Sequence, residues 1–194
     1  MGVATEEPVR RAPNVKTVRL AGPRADANTF FIFQFKKPNT DAREWRRVFK
    51  LLVDRVIASP MTASYAAVEA GVPTYLVNVI AGTMGEPIAA VMDLIGVSET
   101  TFRRKEEARE PLPEAAGHRV MGFLRVVATL RKLLDESGDP EQLKDFDLEA
   151  WVARWVREEL PELGGNTPAQ MLRNPEGQRA VEQVLERMRG GLVA

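Results

Sequence analysis

Cysteine is absent from this 194-residue sequence, and histidine occurs once. The lack of cysteine excludes disulfides, thiolate zinc sites, iron–sulfur clusters and a cysteine nucleophile, and a single histidine excludes sites that need several imidazole ligands. No apolar run approaches the roughly 18 residues needed to cross a bilayer. Glu6 and Glu7 stand where a secretory signal would be apolar. We therefore expect a cytoplasmic protein that has no membrane contact, no metal and no cofactor.

Charge is balanced overall but not along the chain. The 27 basic and 27 acidic residues cancel, and 44% of the residues are apolar, which is enough for a substantial core. Residues 1–70 hold 12 basic and 7 acidic side chains, whereas residues 111–194 hold 11 basic and 14 acidic side chains. Such asymmetry fits two different partners, and it also fits an ordinary solvated surface.

The first 40 residues do not have a helical pattern. Residues 1–28 contain three prolines among scattered charges and are predicted to form a flexible arm. Residues 30–35, Phe-Phe-Ile-Phe-Gln-Phe, have the composition of a strand. A lone strand must pair with a second copy or with a partner. The alternative is that these rings cover the core as coil.

The rest of the chain predicts helices joined by short Gly/Pro turns, and the fold class is mainly α. Residues 29–113 form a first helical region and residues 114–194 a second one, for dimerisation or partner binding. Helices are expected at residues 41–58, 62–70, 73–80 (closed by Ala81-Gly82), 86–95, 99–105, 114–136 and 147–158, with a final helix from the Asn174-Pro175 cap to residue 189.

Residues 86–109 have the pattern of a helix-turn-helix. Gly96 allows the positive φ of the turn, Val97 is the apolar plug, Ser98 caps the second helix, and Phe102 faces the core. The remaining polar side chains suit base edges and phosphates in a major groove. The candidate DNA-binding residues are Ser98, Thr100, Thr101, Arg103, Arg104 and Lys105.

An ordinary helical hairpin is the alternative for this segment. Met92 stands where a small residue is usual, and four glutamates lie close to the basic side chains. In that interpretation Arg103 and Arg104 are solvated or ion-paired.

The C-terminal segment predicts two short helices around an exposed turn. Gly164 and Gly165 interrupt the helical pattern, Thr167 can cap a helix that starts at Pro168, and Asn174 can cap the next one. Taken by composition alone, the Gly-Gly turn is a docking surface or a structural turn.

A family resemblance bears on that choice. Trp155, Leu163-Gly164-Gly165, Pro168, Leu172, Gly177 and Arg189-Gly190 resemble the toxin-binding domain of the Xre/MbcA/ParS antitoxin family, with the signature over about residues 151–191. The likeness extends back to about residue 73 and includes the helix-turn-helix, but residues 1–70 are outside it.

The resemblance implies an antitoxin of a type II toxin-antitoxin system. Its partner would be a RES-domain toxin that either degrades NAD or uses it to ADP-ribosylate a protein. The antitoxin would cover the NAD pocket and repress its own operon through the helix-turn-helix. Carried over to this sequence, the toxin-binding residues are Trp155, Leu163, Gly164, Gly165, Asn166, Pro168, Arg187, Arg189, Gly190 and Gly191. Arg187 or Arg189 would occupy the space of the NAD phosphates.

We further expect a homodimer whose contacts include the helices flanking residues 98–105, bound to operator DNA as paired half-sites. A transcriptional regulator without a toxin partner is the alternative function. Catalysis is not expected, since His118 is solitary at the start of a helix and the carboxylates around residues 135–141 lack the ordered spacing of a metal site.

Overall fold

The structure is a computed structural model that describes residues 42–137 and 144–189. This part of the chain is mostly helical, which confirms the mainly α class. The arm at residues 1–28 and the aromatic run at residues 30–35 lie outside the described residues. The helices are α1 (Ala42–Ala58), α2 (Met61–Ala70), α3 (Tyr75–Met84), α4 (Ile88–Ile95), α5 (Glu99–Glu107), α6 (Glu114–Ser137), α7 (Leu148–Trp155), the 3₁₀-helix η1 (Pro161–Leu163), α8 (Pro168–Met171) and α9 (Pro175–Arg189).

The predicted helix ends agree with the structure to within a few residues, except in α3. That helix was expected to close at Ala81-Gly82, but it continues to Met84 and ends at Gly85, which has φ 67°. Gly82 lies inside α3 against Trp45 of α1, where a Cβ would come within 1.5 Å of the indole ring. Its role is therefore to let two helices approach closely, not to stop one of them.

Two central helices carry the core. Almost every side chain of α3 is buried, and α3 packs against α1, α4 and α7. The long helix α6 packs against α1, α2, α4 and α9. The buried residues form one hydrophobic cluster from Val48 to Leu185. This cluster is continuous across residue 113, and the division of the chain into two regions there stays a prediction.

The described residues contain neither a single membrane-spanning helix nor a group of side chains that could bind a metal ion. No single helix among them is long and apolar enough to cross a membrane, although α3 and α4 pass that test together across a bend of 119°. Within residues 42–137 and 144–189, no three His, Asp or Glu side chains are grouped so that they could hold a metal ion. His118 is on the surface of α6, and its Nε2 is 3.7 Å from Oε1 of Glu114.

Candidate functional site

The Gly-Gly turn forms a tight, exposed loop, which we call the elbow (residues 160–166). After η1 the chain turns through Gly164 and Gly165, which have φ 65° and 79°. The amide of Gly165 donates to the carbonyl of Leu160 at 3.0 Å, and the amide of Leu160 donates to the carbonyl of Asn166 at 3.2 Å. These short-range bonds close the loop on itself, so the elbow is a preformed projection.

The surface of the elbow is rich in hydrogen-bond acceptors. Gly164, Gly165 and Asn166 are exposed, and no other atom lies within 4 Å of where a Cβ of Gly165 would be. The carbonyl oxygens of the two glycines accept no hydrogen bond from another described residue. Exposed carboxylates precede and adjoin these groups, namely Glu158, Glu159 and Glu162. A partner therefore meets open carbonyls and negative charge here.

Three of the residues predicted to bind the toxin are buried, and we call them the base of the elbow. Trp155 and Leu163 are 3% and 5% exposed, and Pro168 is buried at the start of α8. The Trp155 indole stacks on Trp151, with ring centroids 5.5 Å apart and planes 13° apart. The structure thus separates the predicted set into an exposed tip and a buried base.

Caps and a close backbone approach fix the helices that follow the elbow. Thr167 and Gln170 form a reciprocal capping box at the start of α8, as the Thr167 cap predicts. The side chain of Asn174 accepts from the amide of Gly177 at 2.7 Å and caps α9. A Cβ at Gly177 would stand 1.9 Å from the carbonyl oxygen of Met171, so α8 and α9 meet at a distance that only glycine permits.

The two predicted arginines lie in the last turn of α9. The guanidinium of Arg189 pairs with Glu136 of α6 and with Glu186, and the hydrogen bond and charge of Glu136 raise the pKa of Arg189. Arg187 is exposed. Gly190 and Gly191 lie outside the described residues.

Helices α4 and α5 are joined by a short turn at Gly96 (residues 88–107, the α4–α5 hairpin), in the segment predicted to be a helix-turn-helix. Gly96 has φ 64° and ψ 44°, Val97 is buried, and Phe102 is 4% exposed. The Ser98 hydroxyl accepts from the amide of Thr101 at 3.2 Å and lies 2.9 Å from the Thr101 hydroxyl. Two of the candidate DNA-binding hydroxyls therefore bond each other in the cap, whereas Thr100 is exposed.

Acidic neighbours neutralise most of the cations of the hairpin. Arg103 donates to Glu99 at 2.6 and 2.9 Å, which raises the pKa of Arg103, and Lys105 donates to Glu110 at 2.8 Å, which lowers the pKa of Glu110. The exposed Arg104 guanidinium makes no hydrogen bond or ion pair with another described residue. Residues 99–107 hold three basic and three acidic side chains, so this face has no net charge.

Polar contacts join the hairpin to the C-terminal helices. Arg157, after α7, pairs with Glu86 at 2.5 Å, and Arg173, between α8 and α9, pairs with Asp93 of α4 at 3.2 Å. Arg119 of α6 donates to carbonyl oxygens on both sides, at 2.8 Å to Ile95 and at 2.9 Å to Arg173. No pattern in the sequence indicates Arg119, because its role depends on two carbonyls that are remote in sequence.

Comparison with known proteins finds antitoxins. Residues 138–191 match the antitoxin Xre/MbcA/ParS C-terminal toxin-binding domain. A protein of Sphingobium sp. (strain YBL2), named Prs ADP-ribosylating antitoxin, is 31% identical over 104 residues, which are 54% of this chain and 64% of that protein. The matched stretch is thus less than two thirds of the relative. Residues 138–191 are therefore similar to the toxin-binding domain of the Xre/MbcA/ParS antitoxins.

Proposed function

We propose that this protein is the non-catalytic antitoxin of a type II system and that it neutralises a RES-domain toxin by inserting the elbow into the mouth of the toxin's NAD pocket. The observation that carries the proposal is the preformed tip at Gly164 and Gly165, which is exposed, has no side chains and lies within the matched toxin-binding domain. A side-chain-free loop enters a narrow pocket, and its fixed shape reduces the entropy lost on binding.

Charge supports the elbow as the inserted element. A pocket that binds the pyrophosphate of NAD presents N–H donors and cations. The elbow offers open carbonyls and the carboxylates of Glu158, Glu159 and Glu162. Arg189 is paired with Glu136 and is itself a cation, so it matches such a pocket less well. We therefore place the elbow ahead of Arg187 and Arg189 as the group that blocks the pocket.

The name of the Sphingobium relative favours one of the two toxin chemistries. It contains both the word antitoxin and the word ADP-ribosylating. Protein ADP-ribosylation takes its ADP-ribose from NAD, so a partner of that type has a dinucleotide pocket for an antitoxin to cover. We accordingly infer an ADP-ribosylating partner in preference to one that only degrades NAD.

The substitution Gly165→Trp tests the inserted tip. No atom lies within 4 Å of the Cβ position, so we expect the variant to fold with a cost of about 1–2 kcal/mol for a side chain at positive φ. Its affinity for a RES-domain toxin should fall at least 100-fold, as measured by calorimetry with a catalytically inactive toxin. Neutralisation should fail in cells that co-express the active toxin.

Gly85→Trp is the matched control for this experiment. Gly85 has φ 67° and equally open space, but it ends α3 instead of forming the elbow. It should carry the same conformational cost and still bind. Retained neutralisation by Gly165→Trp would refute insertion of the elbow, and the lack of any RES-type reading frame beside the gene would argue for a regulator without a toxin.

Repression of the operon through the α4–α5 hairpin is a second, weaker part of the proposal. The Ser98 cap and the Gly96 turn have the form that a helix-turn-helix requires. The paired cations mean that the hairpin alone offers little attraction to phosphates. We infer that operator binding depends on charges brought by a second copy or by the toxin.

We also propose a homodimer, and exposed apolar side chains on α4 and α2 are candidates for its contacts. Ile88, 42% exposed, lies on α4 next to the predicted contact region. Met61 and Tyr65, 68% and 62% exposed, lie one turn apart on α2. Light scattering with size-exclusion chromatography should give a dimer, and Ile88→Asp should dissociate it whereas Met61→Asp should not. The reverse result would move the interface to α2, and a dilution-resistant wild-type monomer would refute the dimer.

A further inference from the structure

We propose that Arg119 is a positioning residue that couples the α4–α5 hairpin to the C-terminal toxin-binding domain, so that a protein bound at the elbow also stabilises the hairpin. Arg119 lies in neither the elbow nor the recognition face. The part of this inference that concerns a bound toxin rests on the proposed function, but the coupling itself does not.

The geometry of the Arg119 guanidinium carries the argument. Its Nη1 donates to the carbonyl of Ile95, the last residue of α4, at 2.8 Å, and its Nε donates to the carbonyl of Arg173, just after α8, at 2.9 Å. Carbonyls at a helix C-terminus lack intrahelical donors and carry the negative end of the helix dipole. One cation therefore satisfies the C-terminal carbonyl of α4 and a carbonyl in the connection between α8 and α9, which belong to different parts of the chain.

The turn of the hairpin is fitted to the same side chain. A Cβ on Gly96 would come within 1.9 Å of Nη1 of Arg119, and Gly96 also has a positive φ. The positive φ favours glycine at this position, and any larger residue would also displace the end of the Arg119 side chain. The turn that orients α5 is in direct contact with the group that bonds to the C-terminal domain.

Arg173 contacts both Arg119 and helix α4. Its backbone carbonyl accepts from Arg119, and its guanidinium pairs with Asp93 of α4 at 3.2 Å. This ion pair is exposed and contributes little by itself. Arg119 is half-buried: its bond to the Ile95 carbonyl is partly buried and therefore less screened by water, whereas its bond to the Arg173 carbonyl is exposed. Arg173 belongs to the connection that follows the elbow and α8. A partner that orders this connection also orders the bonds of Arg119.

Hydrogen exchange on the isolated protein tests the coupling with no toxin present. The amides of Val97 and Phe102, which donate to Met92 and Ser98, report on opening of the hairpin. Buried amides of α9, such as those of Val181 and Val184, report on the C-terminal domain. In Arg119→Met we expect the ratio of the hairpin exchange rate to the α9 exchange rate to rise at least 10-fold above its wild-type value.

Two further variants separate positioning from general stability. Arg119→Lys retains the charge but replaces the planar donor set by one ammonium, so it should show an intermediate acceleration. If Arg119→Met fails to fold, Arg119→Lys is the variant in which the exchange ratio is measured. Arg131→Met removes another α6 arginine, one that faces Asp54 of α1, and should leave the ratio unchanged. Acceleration of hairpin and α9 amides by equal factors in both Arg119 variants, or no acceleration, would overturn the proposal.

A second arm adds a catalytically inactive RES-domain toxin. Binding should slow exchange of the hairpin amides in the wild type, and this protection should shrink several-fold in Arg119→Met. A toxin that does not bind contradicts the proposed function but leaves the first arm valid. A toxin that binds and protects the hairpin equally in both proteins contradicts the coupling and leaves the proposed function intact.

Discussion

The elbow and the α4–α5 hairpin both depend on glycine in the left-handed region, yet they differ in what they leave open. At the elbow, Gly164 and Gly165 present carbonyls and nearby carboxylates without partners among the described residues. At the hairpin, Arg103 and Lys105 are paired with glutamates. The presence of a given residue type alone therefore does not define a binding surface. What matters is whether the fold has already used its charge or hydrogen bonds.

The largest change in stability is expected from a substitution at the base of the elbow. Replacing Trp155 by Ala removes a buried indole and should lower the free energy of unfolding by about 3–5 kcal/mol, as measured by urea denaturation. Because Trp155 is below the surface, each folded molecule should still bind toxin with nearly wild-type affinity. The buried signature residues would then contribute to stability, and the exposed ones to toxin binding.

Trp151→Ala is the matched control for that substitution. Trp151 stacks on Trp155 but is only partly buried, so its loss should cost less stability. A drop in affinity for Trp155→Ala under conditions where the variant is fully folded would mean that the indole contacts the toxin, and the distinction between tip and base would fail.

A smaller effect is expected from releasing the paired cations of the hairpin. Glu99→Gln with Glu110→Gln frees Arg103 and Lys105, and these exposed pairs contribute little to stability. Affinity for a random-sequence duplex should rise several-fold, and the salt dependence should steepen by about one unit of slope for each cation that reaches a phosphate. Fluorescence anisotropy at several salt concentrations measures both.

The pair Glu69→Gln and Glu176→Gln makes the same change in net charge on exposed sites in α2 and α9. If it strengthens DNA binding equally, the hairpin has no special role. If neither pair of substitutions alters binding, the hairpin does not face DNA, and repression would have to use another surface.

The sequence was sufficient for the features that depend on local chemistry. The apolar period predicted the helices, and the predicted caps at Ser98 and Thr167 are present because each side chain accepts a hydrogen bond from the amide three residues later. The Gly-Gly turn was predicted because consecutive glycines permit a backbone that other residues resist. The family signature pointed to the same segment.

Features that depend on remote contacts could not be predicted. Gly82 has the sequence signal of a helix stop, but α1 packs against it and the helix continues. Trp155, Leu163 and Pro168 share a signature with the exposed glycines, and only packing distinguishes base from tip. The bonds of Arg119 span 24 and 54 residues in sequence, so no local pattern reports them.

The stacked indoles of Trp151 and Trp155 provide a built-in optical reporter. Two aromatic chromophores at 5.5 Å in nearly parallel planes couple their electronic transitions, which gives a near-ultraviolet circular dichroism signal that depends on their mutual angle. The third tryptophan of the sequence, Trp45, is in α1. Replacing Trp45 by Phe would leave the indole spectrum to the pair of Trp151 and Trp155, so docking could be followed without any attached dye.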